Sequence, residues 1–108
     1  MVLESAPPLA AILRAHKEWA DNPAFGTRAD LSGMTLNEVK LSGENLQRAL
    51  MIGVTMLDAD LTGADLSGVN LDRGDMQRAN LAGANLTGAN LSNTRFAGAW
   101  MAGAHAGK

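Results

Sequence analysis

Large apolar residues recur at every fifth position of this chain from Leu31 to Met101, an interval that suits neither a helix nor an ordinary strand. The series runs Leu31, Leu36, Leu41, Leu46, Met51, Met56, Leu61, Leu66, Leu71, Met76, Leu81, Leu86, Leu91, Phe96 and Met101. Five residues turn an α-helix through about 500°, which smears such a series around the axis. A flat strand throws alternate members to opposite faces. The pattern works if each pentad makes one short extended side and then a corner, so that every large residue points inward. Two places before most of them stands a small residue, such as Ala29, Ala49, Ala59, Ala64, Ala79, Ala84, Ala89 or Ala99, which shares the interior. Met34, Val39, Glu44, Val54, Val69, Gly74 and Thr94 are the exceptions. The fifteen large positions form the predicted core.

Two places after the large residue stand nine of the chain's twelve glycines. That placement suits the third position of a type II turn, where φ is positive. The corners at Glu38, Arg48, Asp58, Arg73, Arg78 and Asn93 are expected to use another turn type. A coil of four sides, twenty residues, stacks like upon like: Gly43, Gly63, Gly83 and Gly103 form one column. The same register sets Lys40 against Asp60, Asp58 against Arg78 and Asp75 against Arg95, while Glu38 against Asp58 runs the other way. Asp30, Asn45, Asp60, Asp65, Asn70, Asp75, Asn80, Asn85 and Asn90 each precede a large residue. Their side chains are placed to hydrogen-bond backbone near the corners.

Ahead of the repeats the period changes. Leu9, Ile12, Leu13, His16 and Trp19 share one face of a helix expected near residues 6–21, with Ser5 as its cap, Pro7 and Pro8 in the first turn and Pro23 as its stop. Residues 1–28 are thus expected to cover a solenoid built from residues 29–108. Leu9, Ile12, Leu13 and Trp19, joined by Phe25 from the loop, are predicted to shield Leu31, Leu36, Leu41 and Leu46. On such a face His16 reads as a buried structural histidine, not a ligand.

The units "ADLTG", "ADLSG", "ANLAG", "ANLTG" and "ANLSN" resemble the A(D/N)LXX repeats of the pentapeptide repeat proteins, over residues 29 to about 103. The resemblance implies an all-β solenoid: a right-handed quadrilateral β-helix of about four coils with a short N-terminal α-helical cap. The stretch "LAAILRAHKEWADNPAFGTRADLSG" resembles the amino-terminal helix and lead-in loop of many bacterial members.

Composition narrows the chemistry. The 108 residues include no cysteine, which excludes disulfides and thiolate zinc sites, and only two histidines, His16 and His105. No nucleophile has a base at a spacing that would activate it, and no glycine-rich phosphate loop occurs. The reading is of no catalytic, cofactor or metal site and no enzyme. A formal charge of −2 supplies no basic footprint for nucleic acid, and no apolar run approaches the roughly 18 residues that a membrane span needs. Cytoplasm is the expected location. A non-enzymatic structural or protein–protein interaction module is the expected function, with a partner protein that the sequence does not identify.

Two surfaces stand out. Leu50, Ile52 and Leu57 put apolar side chains at outward positions, and Phe96, Trp100 and Met101 gather in the last pentads. Residues 94–106 are therefore the candidate interface of a homodimer joined tail to tail. Some members of the resembled family mimic duplex DNA and protect type II topoisomerases from quinolones. Asp58, Asp60, Asp65, Asp72 and Asp75 raise that alternative, although four-sided winding distributes them over all four faces.

Overall fold

Pairs of residues twenty apart lie side by side throughout the repeat region. In the computed structural model, which describes residues 8–105, twelve parallel bridges join Asp30 to Leu50, Thr35 to Thr55 and so on to Asn85 and His105, always at that offset. The chain therefore winds as a four-sided coil with five residues to a side. No side is long enough for an extended strand: it gives one residue to a bridge and bends at once into the next corner.

Five residues per side is a solution to the hydrogen-bonding of the backbone. In the pentad 60–64, Leu61 N–H donates to the Asn80 carbonyl at 2.8 Å and Gly63 N–H to Ala82 at 2.9 Å, both in the next coil. Asp60 N–H donates back to Val39 at 2.9 Å, and Ala64 N–H closes the corner on Leu61 at 3.0 Å. The remaining amide, Thr62 N–H, donates to Asp60 Oδ1 at 3.0 Å. All five donors are then satisfied, as a packed backbone requires. The predicted Asp and Asn side chains do this at every one of their nine positions, each accepting from the amide two residues on.

The corners correct one expectation. Glu38, Arg48, Asp58, Arg73, Arg78 and Asn93 do not use a different turn: their φ values of 56° to 62° lie in the same left-handed region as the corner glycines, and the same bond, from the fourth residue's amide to the first residue's carbonyl, closes each turn. A side chain is tolerated there because the corner points outward. The coil register decides the shape and the residue accepts the strain.

Inside the coil, Leu31, Leu41, Leu46, Met51, Met56, Leu61, Leu66, Leu71, Met76, Leu81 and Leu86 are fully buried, with Ala49, Val54, Ala59, Ala64, Val69, Ala79 and Ala84 between them. Burial then declines along the axis. Leu91 and Phe96 are half-buried against the core, and Met101 is 36% exposed, so it is not a core residue. The physical reason is that among the described residues nothing lies above the last coil. Leu36 in the first coil is also only half-buried, outside the full cover expected for it.

Helix α1, Leu9–Asp21, is shorter at its start than expected. Pro8 occupies its cap position with φ −59° and no side-chain hydrogen bond; Ser5 and Pro7 lie outside the described residues. Its end agrees with Pro23 as the stop, since Asn22 is already extended. Leu9, Ile12 and Leu13 pack against the core. Trp19 does not: it lies at the corner beside His16, their rings 5.5 Å apart. Phe25 is 65% exposed, not folded over the first coil. Gly26 explains this, because its backbone, at φ +70°, comes so close to α1 that an added Cβ would stand 2.6 Å from the Trp19 nitrogen. That approach, with Thr27 N–H donating to Ala15 at 3.0 Å, turns the loop sharply and leaves the ring of Phe25 outside.

Candidate functional site

The last described coil has an upper edge whose backbone donors are not paired within the described residues. The amides of Leu91, Asn93, Phe96 and Gly98, whose counterparts in earlier coils donate upward, have no backbone acceptor among the described residues. Beside them Trp100 is 67% exposed at the end of the column Lys40, Asp60, Asn80, and Met101 lies next to it. Phe96 reaches inward and packs on the core. The sequence-predicted trio is thus divided: two side chains face solvent, and the third holds the coil from which they project. Residue 106 of the candidate segment lies outside the described residues.

Leu50, Ile52 and Leu57 are half-buried, in the middle of the solenoid and not protruding. Their sides lack the usual Asp or Asn, since Leu50 and Thr55 stand in its place. The orphaned amides find substitutes one coil below: Ile52 N–H donates to Ser32 Oγ and Leu57 N–H to Asn37 Oδ1, each at 3.0 Å. Apolar residues are accommodated here because neighbours complete the backbone, so this patch has a structural account that its exposure alone had obscured.

Charge is paired sparingly. Arg78 makes a two-point contact with Asp58, at 3.0 and 3.1 Å, which holds the guanidinium pKa above its ordinary value. Lys40 with Asp60 and Asp75 with Arg95 are bridged neighbours that do not close to ion-pair distance. Asp60 instead turns into Thr62, whose amide and hydroxyl hold its carboxyl below the usual range. Among the described residues no group of three His, Asp or Glu side chains is arranged to hold a metal ion, and no helix is long and apolar enough to cross a membrane.

The opposite end carries a cluster that sequence reasoning did not single out. Arg28 and Arg48 both stack on Trp19, with guanidinium carbons 5.5 and 4.8 Å from the ring centroid. Arg28 Nε donates to the Arg48 carbonyl at 2.6 Å. Beneath them His16 is wholly buried, and its Nδ1 accepts the Ala29 N–H at 2.9 Å. That bond assigns the ring proton to Nε2, which lies toward the Gln47 carbonyl without making a hydrogen bond of acceptable geometry. Burial, more than the nearby Arg28 and Arg48 charges, holds the His16 pKa below its ordinary value. The signal was present in the twenty-residue register, which sets Arg28 directly below Arg48.

Comparison with known proteins places this architecture. No curated protein sequence matches the chain. Among solved structures, a pentapeptide repeat protein of the cyanobacterium Cyanothece 51142 is 26% identical over 71% of this chain and 63% of its own, with a TM-score of 0.44. HetL of Nostoc sp. strain PCC 7120, described as involved in regulating heterocyst differentiation, is 30% identical over 66% of this chain and 38% of its own, with a TM-score of 0.39. A further pentapeptide repeat protein from Nostoc PCC 7120 is 26% identical over 80% of this chain and 71% of its own, with a TM-score of 0.40. The chain thus spans less than two thirds of the length of the first two. The family model for pentapeptide repeats matches residues 44–78 and 74–105 in eight copies, more than half of the sequence, and the protein belongs to the pentapeptide repeat family.

Proposed function

We propose that this protein is a non-enzymatic interaction module of a bacterial cytoplasm: a right-handed quadrilateral β-helix, residues 29–108, that presents a rigid surface to other proteins and is covered at its first coil by residues 1–28. The handedness is that of the family. The observation that carries the reading is the last described coil, where Trp100 is 67% exposed beside amides that have no backbone acceptor among the described residues. Large aromatic side chains at a desolvating edge are the composition of interface anchors. The occupant that fits is a second copy joined tail to tail through residues 94–106, because a two-fold axis lets one patch serve both chains.

The test is sedimentation of the parent and of Trp100→Ala with Phe96→Ala. A dimeric parent and a variant weakened about thirtyfold, the effect of losing about 2 kcal/mol at a hot spot, are expected. A monomeric parent, or a dimer indifferent to both changes, would remove the tail-to-tail interface.

The DNA-mimicking alternative draws less support from the charge layout. Asp72 belongs to one side of the coil, Asp58 and Asp75 to the next, Asp60 to the third and Asp65 to the fourth, and Asp58 is already engaged by Arg78. A phosphate mimic needs acidic columns along one face. Dose-dependent inhibition of gyrase supercoiling at micromolar protein would restore that reading.

A further inference from the structure

We infer that the corner formed by Trp19, Arg28 and Arg48 is a second docking surface, which takes an acidic segment of a partner protein. The inference rests on the reading of the chain as an interaction module but not on the tail-to-tail interface. Three observations meet at this corner. First, the two guanidinium carbons lie within 5.5 Å of one indole centroid, so they are no more than 10.3 Å apart. Among the described residues neither has a carboxylate at ion-pair distance, in a chain whose formal charge is −2. Asp30, whose carboxyl feels the Arg28 charge, is committed to the Ser32 amide at 3.0 Å. Second, stacking on Trp19 and the bond from Arg28 Nε to the Arg48 carbonyl hold the two cations in place before any partner arrives. Binding then orders little that is not already ordered. Third, Arg28 also lines a cavity of about 360 Å³ between α1 and the first coil, whose other walls are Ala11, Ile12, Ala15, Ala29 and Met34 with Thr27 and Asp30. Ala11, Ala15 and Trp19, four apart, run along one stripe of α1, so cavity and cations share a side of the helix.

The chemistry of the occupant follows. Arginine accepts a carboxylate in two-point geometry, and an arginine already stacked on an aromatic ring loses little in doing so. In an extended peptide, alternate side chains share a face about 7 Å apart, which lets two acids two residues apart address Arg28 and Arg48. An apolar side chain two residues further on would then reach the cavity. The fitting sequence is Glu-x-Glu-x-Leu.

The experiment uses the whole chain with Trp100→Phe, so that Trp19 is the sole indole. Its fluorescence is followed while acetyl-Glu-Ser-Glu-Ser-Leu-amide is added. A saturable change is expected, weakened at least tenfold by Arg48→Gln and by 0.5 M salt. The same peptide with Gln for Glu is expected to produce none. Thermal melting of the Arg48→Gln variant serves as the folding control. No saturable change with the acidic peptide, equal binding by the Gln peptide, or binding untouched in a folded Arg48→Gln variant would overturn the proposal. So would preferential uptake of a single-stranded oligonucleotide. Sedimentation of the parent chain, with Trp100 in place, keeps the two interfaces distinct: a parent that dimerises while the Trp100→Phe chain ignores the peptide loses only this site.

Discussion

Asn80 stands two residues before Ala82 and accepts its amide at 3.1 Å, on a side where that donor has no other outlet. Asn80→Ala leaves the amide without a partner in a half-buried setting. A loss of about 1 kcal/mol is expected, visible as a lower denaturant midpoint with unchanged slope. Ser32 and Asn37 do the same work for the coil above, and this explains why polar residues of different kinds can stand around the solenoid without breaking its beat. The sequence displayed the first arrangement openly, because Asp or Asn recurs in register with the leucines. It hid the second, because a donor at position 57 and an acceptor at position 37 are connected only after the coil is wound.

Besides Leu9, Ile12 and Leu13, helix α1 meets the solenoid through a fully buried histidine, and its attachment should therefore respond to acid. The folded-state pKa of His16 lies below the ordinary 6.5, so the unfolded chain takes up a proton first. The stabilisation is complete above about pH 6.5 and is lost as pH falls below it. Protonation at Nδ1 would also break the bond from Ala29 N–H and place a third cation beside Arg28 and Arg48. The protection of the Ala29 and Thr27 amides against hydrogen exchange, relative to the intrinsic rate at each pH, should fall as pH drops below 6.5, whereas in His16→Gln it should stay nearly constant. Protection independent of pH in the parent would show that the ring does not govern the attachment. The amphipathic face of α1 was readable from Leu9, Ile12 and Leu13. The positions of Trp19 and Phe25 were not, because both depend on how closely Gly26 lets the loop approach the helix, a tertiary distance that no periodicity encodes.

At the scale of the molecule, the winding and its register were legible from the five-residue series and the glycine column, while the decline of burial toward Met101 was not, since every pentad looks equally apolar until its neighbours are counted. One further property follows from the direction of the hydrogen bonds. Each side sends two amides upward, as Leu61 and Gly63 do, and only one carbonyl, as Val39 does. The two ends of the solenoid are therefore chemically unlike: the upper is rich in donors and the lower in acceptors. Two upper ends cannot continue each other's backbone, so any tail-to-tail contact must be held by side chains such as Trp100. An upper end and a bare lower end would match, and a head-to-tail match of that kind has no point at which it closes. If upper and lower ends do associate in this way, the helix laid across the first coil would act as a polymerisation stop. Loosening it, by acid or by a substitution such as Gly26→Ala, should convert a discrete particle into one that lengthens with concentration, and light scattering that stayed constant would show that the ends are guarded by something else.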